Sequence, residues 1–509
     1  MSGNDPGFRS ERRPVLLAVL VSTGLVAIDS TILATAVASV VRDLGGFAEF
    51  PWLFSIYLLA QAVSVPIYGK LADIFGRKPV MLFGIAVFLA GSVMCGFAGT
   101  MGVLIAFRVV QGLGAGAIQP TTITIVGDLY SVRERPRVQG YIAIVWAIAS
   151  VVGPTLGGVF SAYVSWRWIF FVNVPLCLFA GAMIARRFHE KVARTAKPID
   201  YRGSALLTTG LTLVILGVLE GGQAWAWDSP TGIAILVAGV ATLIGFGLVE
   251  RTAPDPVLPL WVFRRRLLIT SGLASFGVGA VLLGLTSYLP TYVQSVLGTG
   301  PLVAGLALAA LLLGWSISGS QAGRVYLRIG FRGCGLIGTA IVLAGVALML
   351  LLGRHSSVVA VAGFCLIIGL GIGLTATPTL IAAQSSVDWS RRGVVTANNI
   401  FLRSLGSSLG VAVFGAIANA TIGPSDRADP VRLTEAVHHI VIALVVIATG
   451  MAIAVSLMAR GDTPAAEPAP VGSWAGLHHE VDALSVPGRE HAHQPRFRPR
   501  RGQRYPFSR

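Results

Sequence analysis

The sequence predicts an all-α integral membrane protein of fourteen transmembrane helices, and three observations carry that expectation. The chain of 509 residues is 54% hydrophobic and only 12% charged, a composition that belongs in a bilayer. Its apolar runs reach the roughly 20 residues a helix needs to cross about 30 Å of hydrocarbon, and no stretch between them is long enough for a soluble domain. The runs are apolar on every face, whereas barrel strands would be about 10 residues long and alternate in polarity.

In chain order the spans are expected at residues 16–37, 52–69, 79–98, 102–127, 138–161, 168–186, 204–220 and 231–249, then at 268–292, 302–322, 333–352, 358–379, 395–420 and 438–459. The first run follows the basic stretch "FRSERR", as a signal peptide would, but it is long and no clean small-residue cleavage pattern follows it. It is taken as the first helix.

Orientation follows from the basic residues, which stay on the cytoplasmic side. With a cytoplasmic N-terminus, 25 of the 39 Lys and Arg fall in the cytoplasmic loops and short termini and five in the opposite loops. Both termini are therefore expected in the cytoplasm, with the plasma membrane of a bacterium as the location. The net charge of +16 is spread over every second loop, as topology demands, so no nucleic-acid partner is inferred. Cys95, Cys177, Cys334 and Cys365 fall in or beside spans without Cys-x-x-Cys spacing and read as small buried hydrophobes, with no metal site. Residues 461–509, rich in Pro, Gly, His and Arg, read as a disordered basic cytoplasmic tail, either solvated or resting on anionic lipid.

Polar residues inside the spans are the functional candidates, because a charge there is costly unless it faces protein, water or a partner. Asp29 is the only carboxylate well inside an apolar span, with Thr31 close by. Unpaired, it would take up a proton before it stayed charged; the alternative is a carboxylate held permanently by an arginine. Arg108 lies about seven residues into the fourth span, with Gln111 and Gly112 on its face, and Arg403 lies in the thirteenth. Asp29, Thr31, Gln61, Gln111, Asn398 and Arg403 are the expected lining of a substrate cavity. In the fifth span Gly153, Pro154 and Gly157 remove side chains and a backbone donor, which permits a kink and close helix approach.

The stretch "GKLADIFGRKPV", residues 69–80, concentrates Lys70, Asp73, Arg77 and Lys78 between two apolar runs. It is expected to be a short cytoplasmic loop in which Gly69 and Gly76 permit tight turns. Its spacing resembles the loop signature of the major facilitator superfamily, G-x-L-A-D-x-x-G-R-K, at every specified position. "IDSTI", "RVVQGLGAG", "GPTLGG", "WRWIFFVNVP", "YLPTYVQSVLG" and "RSLGSSLGVAVFGAI" carry the same resemblance, which covers nearly the whole chain to residue 460. Ala34 and Ala38 stand where that family usually has Asn and Pro, and Ala309 or Ala310 where a Pro is common.

The superfamily is built on an internal repeat, and one is present. Gly69 and Gly76 recur as Gly323 and Gly330 at an offset of 254, and Gly140, Gly153 and Gly157 recur as Gly393, Gly406 and Gly410 at 253. Six helices take nearer 190 residues, so two spans are inserted. The expected division is 1–199 for an N-terminal six-helix bundle, 200–266 for the inserted pair and 267–460 for a C-terminal bundle. This plan resembles the fourteen-span drug:proton antiporters. The resemblance implies export of lipophilic or cationic amphipathic small molecules, driven by a proton gradient with no cofactor, by a monomer that is not an enzyme. Asp29, as the one deep carboxylate, is expected to couple protons, and the resemblance gives Arg108 a part in the same task; Gly69, Asp73, Gly76, Arg77, Lys78, Gly153, Pro154 and Gly157 are expected to form the conformational switch. Export of an endogenous lipid or metabolite, or a non-transporting receptor on the same scaffold, are the alternatives.

Overall fold

A computed structural model describes residues 13–130, 135–188, 190, 200–222, 224–254, 256–387, 392–422 and 429–459. The expected tail at 461–509 and the side chains of Lys70 and Asp73 lie outside the described residues. The fold is helical throughout: α1 (Arg13–Leu44), α2 (Phe50–Phe75), α3 (Arg77–Gly96), α4 (Met101–Leu129), α5 (Arg135–Val159), α6 (Trp168–Phe171), α7 (Asn173–Arg187), α8 (Tyr201–Glu220), α9 (Pro230–Glu250), α10 (Arg266–Ser295), α11 (Pro301–Met349), α12 (Val358–Ser385), α13 (Arg392–Ile422) and α14 (Pro430–Ser456).

Among the described residues thirteen helical segments are long and apolar enough to cross a membrane, α6 and α7 together forming one of them. The 49-residue α11 is the exception to one helix per span. At 1.5 Å per residue it would run about 74 Å, more than twice the hydrocarbon thickness. Its helical backbone breaks at Gly330 (φ 76°, ψ 166°), where the sequence places the junction between the tenth and eleventh spans.

Gly76, 254 residues earlier, has the same kind of backbone (φ 100°, ψ 159°). A side chain disfavours positive φ, so glycine at both places lets one helix end and the next begin without a loop. The expected loop at 69–80 is thus a correction: α2 continues to Phe75 and α3 starts at Arg77, leaving Gly76 alone between them. The α14 start also differs from expectation. It begins at Pro430, where Asp429 Oδ1 accepts from the Val431 amide at 3.0 Å. Polar Arg432, Thr434, Glu435, His438 and His439 had hidden this first stretch from a hydropathy argument.

The second glycine repeat works by close approach. A Cβ on Gly153 would overlap Thr31 Oγ1, and one on Gly157 would overlap the Ile32 carbonyl, so α5 packs directly on α1. At the repeat positions, a Cβ on Gly406 would overlap the Phe276 carbonyl and one on Gly410 would lie 2.8 Å from Ala280 Cα, so α13 packs on α10 in the same way.

With the Lys- and Arg-rich helix ends taken as cytoplasmic, the halves meet at the outer end. One apolar cluster there combines Ile32, Val37 and Phe50 with Tyr288, Leu308 and Val411. Towards the cytoplasm the clusters separate: Leu16, Leu25, Phe88 and Ile125 belong to one, and Ala274, Phe331 and Val455 to another. α8 lies across both halves, its Leu207, Leu211 and Ile215 packing with Leu59 and Val63 of α2 and Phe401 and Ala412 of α13. Glu220 at its end accepts a 2.8 Å hydrogen bond from Trp52 Nε1.

Candidate functional site

Asp29 sits at the middle of α1, and five helices converge on it. It is 1% exposed and Arg108 of α4 is 2% exposed. Arg108 Nη1 donates to Asp29 Oδ2 at 3.2 Å. Asp29 Oδ1 accepts from Gln111 Nε2 at 2.7 Å and from Asn173 Nδ2, on α7, at 3.1 Å. Both amides also donate to Ser92 Oγ of α3, at 2.7 Å and 3.2 Å. The guanidinium is held further by Gln111 Oε1 at 2.6 Å and by the Leu53 carbonyl of α2 at 3.1 Å, and it lies 4.0 Å from the centroid of the Tyr57 ring.

Glycines bring these helices close enough for the network to form. A Cβ on Gly91 would lie 2.5 Å from the Gln111 amide nitrogen, and one on Gly112 would lie 2.5 Å from the Tyr57 carbonyl. α3 and α2 therefore press directly on α4. Of the two readings of Asp29, this geometry matches the carboxylate held by an arginine: three donors, one of them cationic, satisfy it. Asp29 is enclosed in its own bundle in this conformation.

The other expected residues are distributed. Thr31 Oγ1 donates to the Ala149 carbonyl of α5 at 3.2 Å, which places it at a helix contact. Gln61 pairs with Gln119 across α2 and α4 at 3.1 Å. Asn398 is 3% exposed and its Oδ1 has no partner among the described residues. Arg403 is partly exposed on the same helix, α13.

Gly153 and Gly157 face α1, while Pro154 and Gly158 lie where the halves meet. A Cβ on Gly305 of α11 would be 2.5 Å from the Pro154 carbonyl, and one on the adjoining Gly158 2.7 Å from Leu302 Cα. Ser55 and Ser408 exchange hydrogen bonds between α2 and α13, each Oγ donating to the other's carbonyl, at 3.2 Å and 2.9 Å. Asn419 Nδ2 donates to the Ala48 carbonyl at 2.9 Å and Gln294 Nε2 to the Thr35 carbonyl at 3.2 Å. These contacts form an outer seal.

At the α2–α3 junction the structure supplies an acid the sequence analysis missed. Glu190, just beyond α7, accepts from the Arg77 amide at 2.7 Å and the Lys78 amide at 3.1 Å, and pairs with the Arg77 guanidinium at 3.5 Å. It caps the N-terminus of α3, where Gly76 offers no side chain, and Lys78 Nζ reaches the Ala185 carbonyl at 2.7 Å. Removing a cap costs about 0.5–2 kcal/mol. Glu190→Ala should therefore lower the melting temperature of the purified protein, and Glu190→Gln, which can still accept from the amides, should lower it less; an unchanged value in both would refute the cap.

The fold is that of a multi-span membrane transporter. The chain belongs to the Major Facilitator Superfamily, whose family model matches residues 19–411. It is 34% identical over 404 residues to Multidrug resistance protein 3 of Bacillus subtilis (strain 168), covering 79% of each chain. It is 31% identical over 423 residues to Multidrug transporter protein MdtP of the same organism, covering 83% of this chain and 78% of that one. It is also 35% identical over 407 residues to Efflux pump dotC of Dothistroma septosporum (strain NZE10 / CBS 128990), covering 78% and 70%. Among solved structures, a bacterial homologue of the human lysosomal transporter Spinster shares the fold with a TM-score of 0.63 at 17% identity, over 89% of this chain and 98% of that one. A mutant form of the nucleoside transporter NupG does so with a TM-score of 0.61 at 13% identity, over 87% and 99%.

Proposed function

We propose that this protein is a multidrug efflux transporter of the cell membrane, not an enzyme, that exchanges amphipathic substrates for protons by alternating access. The names of the relatives support export of drug-like molecules. The observation that carries the proton half is the buried Asp29–Arg108 pair, an ionic centre amid apolar packing. Such pairs are expensive to bury and mark proton and ion relays in membranes.

The geometry suggests how charge becomes motion. Protonating Asp29 discharges the carboxylate and loosens its hold on Arg108. Asp29 shares α1 with Thr31 and Ile32, which touch Gly153 and Gly157 of α5. α5 in turn packs on α11 through Pro154 and Gly158 at the outer seal. A shift of α1 would thus reach that seal through directly packed backbones. Because Asp29 is enclosed by its own bundle, substrate and proton compete through this movement and not by contact with one carboxylate. The conformation described, sealed outside and separated inside, is the one that takes up substrate and releases protons to the cytoplasm. Both termini face the cytoplasm, and the monomer is the transporting unit.

Proteoliposomes with an imposed pH gradient and a fluorescent lipophilic cation test this reading. Uptake that follows the gradient and collapses when an ionophore dissipates it is the expected result. Binding of the dye without flux would replace the transporter with a receptor on the same scaffold.

A further inference from the structure

The second cation within the spans is held very differently from the first. Every face of Arg108 is answered by a carboxylate, an amide, a carbonyl or a ring. The Arg403 guanidinium, on α13, has no hydrogen bond or ion pair with any described residue. Nor can its own half of the chain supply a counter-charge at that depth. From Arg266 to Val387, and throughout α13, the sequence contains no Asp or Glu. Asp429 and Glu435 stand at the outer start of α14, and Asp388 lies outside the described residues. In the other half, Asp29 is fully engaged by Arg108, Gln111 and Asn173.

Its position excludes an ordinary anchor at the membrane surface. Arg403 is eleven residues into α13, about 16 Å along the axis from the cytoplasmic end, a distance longer than its side chain. It stands five residues, about 7.5 Å, to the cytoplasmic side of Ser408, which makes the outer seal with Ser55. The side chain is partly exposed and springs from a rigid base, since a Cβ on Gly279 of α10 would overlap the Arg403 carbonyl. Asn399 and Ser407, one turn to either side, extend the polar stripe. A charged group at such depth is retained where it faces water or a transported ligand.

We propose that Arg403 is the recognition cation for amphipathic monoanions, lipophilic bodies carrying one carboxylate, sulfonate or phenolate, which the protein exports in addition to cations. The proposal rests on the efflux reading above and names a substrate class for it. A guanidinium matches a carboxylate or sulfonate through paired N–H donors, whereas an ammonium binds as a point charge. The two substrate classes also differ in electrical consequence. One proton entering for one monovalent cation leaving moves no net charge, while one proton entering for one anion leaving carries two positive charges inward.

Proteoliposomes are given the same pH gradient and offered, separately, ethidium and a lipophilic monocarboxylate dye, with the membrane potential clamped at zero or with the cytoplasmic side negative. The wild type is expected to export both, with only the carboxylate accelerated by the potential. In Arg403→Gln the ratio of carboxylate to ethidium export should fall at least tenfold, and Arg403→Lys should restore part of it. The proposal is overturned if the wild type exports ethidium but not the carboxylate, which leaves the efflux reading intact. It is also overturned if Arg403→Gln lowers both fluxes in parallel or leaves the ratio unchanged. Export of neither dye by the wild type would overturn the efflux reading with it.

Discussion

Asp29→Asn should abolish proton-driven accumulation of substrate. One proton exchanged across two pH units is worth about 2.7 kcal/mol, which for a monovalent cation sets a limit near 100-fold accumulation. The variant should fall to onefold, equilibration without concentration. Asn keeps the size of Asp but turns an N–H group toward Arg108 and leaves the guanidinium without its counter-ion. Breaking a buried pair from one side typically costs about 3–5 kcal/mol. The Leu53 carbonyl, Gln111 and the Tyr57 ring offset part of that loss. A lost activity could therefore reflect lost protein, and Asp29→Asn/Arg108→Gln separates the two. Removing both charges should recover melting temperature and abundance relative to the single variant, yet not accumulation. If the double variant still concentrates substrate under a pH gradient, the proton passes elsewhere.

The membrane plan was legible because hydropathy is a local signal, and the bundle repeat was legible because glycine spacing records where backbones must touch or turn. Gly76 and Gly330 show this most directly, two residues 254 apart with the same positive φ. What the sequence did not show is which polar side chains meet. Asp29 and Arg108 were each visible as charges in apolar spans, but their pairing depends on the rotation of α1 against α4. Asn173 sat unassigned within "WRWIFFVNVP", and Ser92 is one serine among many; only the meeting of α3 and α7 over Asp29 gives them a task. Glu190 lies beside a run of basic residues and reads locally as a solvated charge, although it caps a helix more than a hundred residues away in sequence. The place of α8 against α2 and α13 follows from packing alone.

Joining the two bundles covalently at the outer seal should stop transport in one conformation. Ser55 and Ser408 already exchange hydrogen bonds from side chain to backbone in both directions, so their backbones run close and each side chain points at the other helix. Cysteines there would face one another across the contact, the arrangement a disulfide needs. The four native cysteines, Cys95, Cys177, Cys334 and Cys365, are free and buried; the introduced pair would be buried as well, since Ser55 and Ser408 are 0% exposed, so a small membrane-permeant oxidant is used. In Ser55→Cys/Ser408→Cys, oxidation should lower gradient-driven export at least tenfold and a reductant should restore it, while each single variant should be insensitive to both treatments. Substrate binding from the cytoplasmic side should survive oxidation, because the lock holds the state that is already open to it. Alternating access demands that this contact open once per cycle. If the cross-linked protein, with the bond verified by mass spectrometry, transports at the reduced rate, the Ser55–Ser408 contact is a static part of the scaffold and the outer gate lies elsewhere.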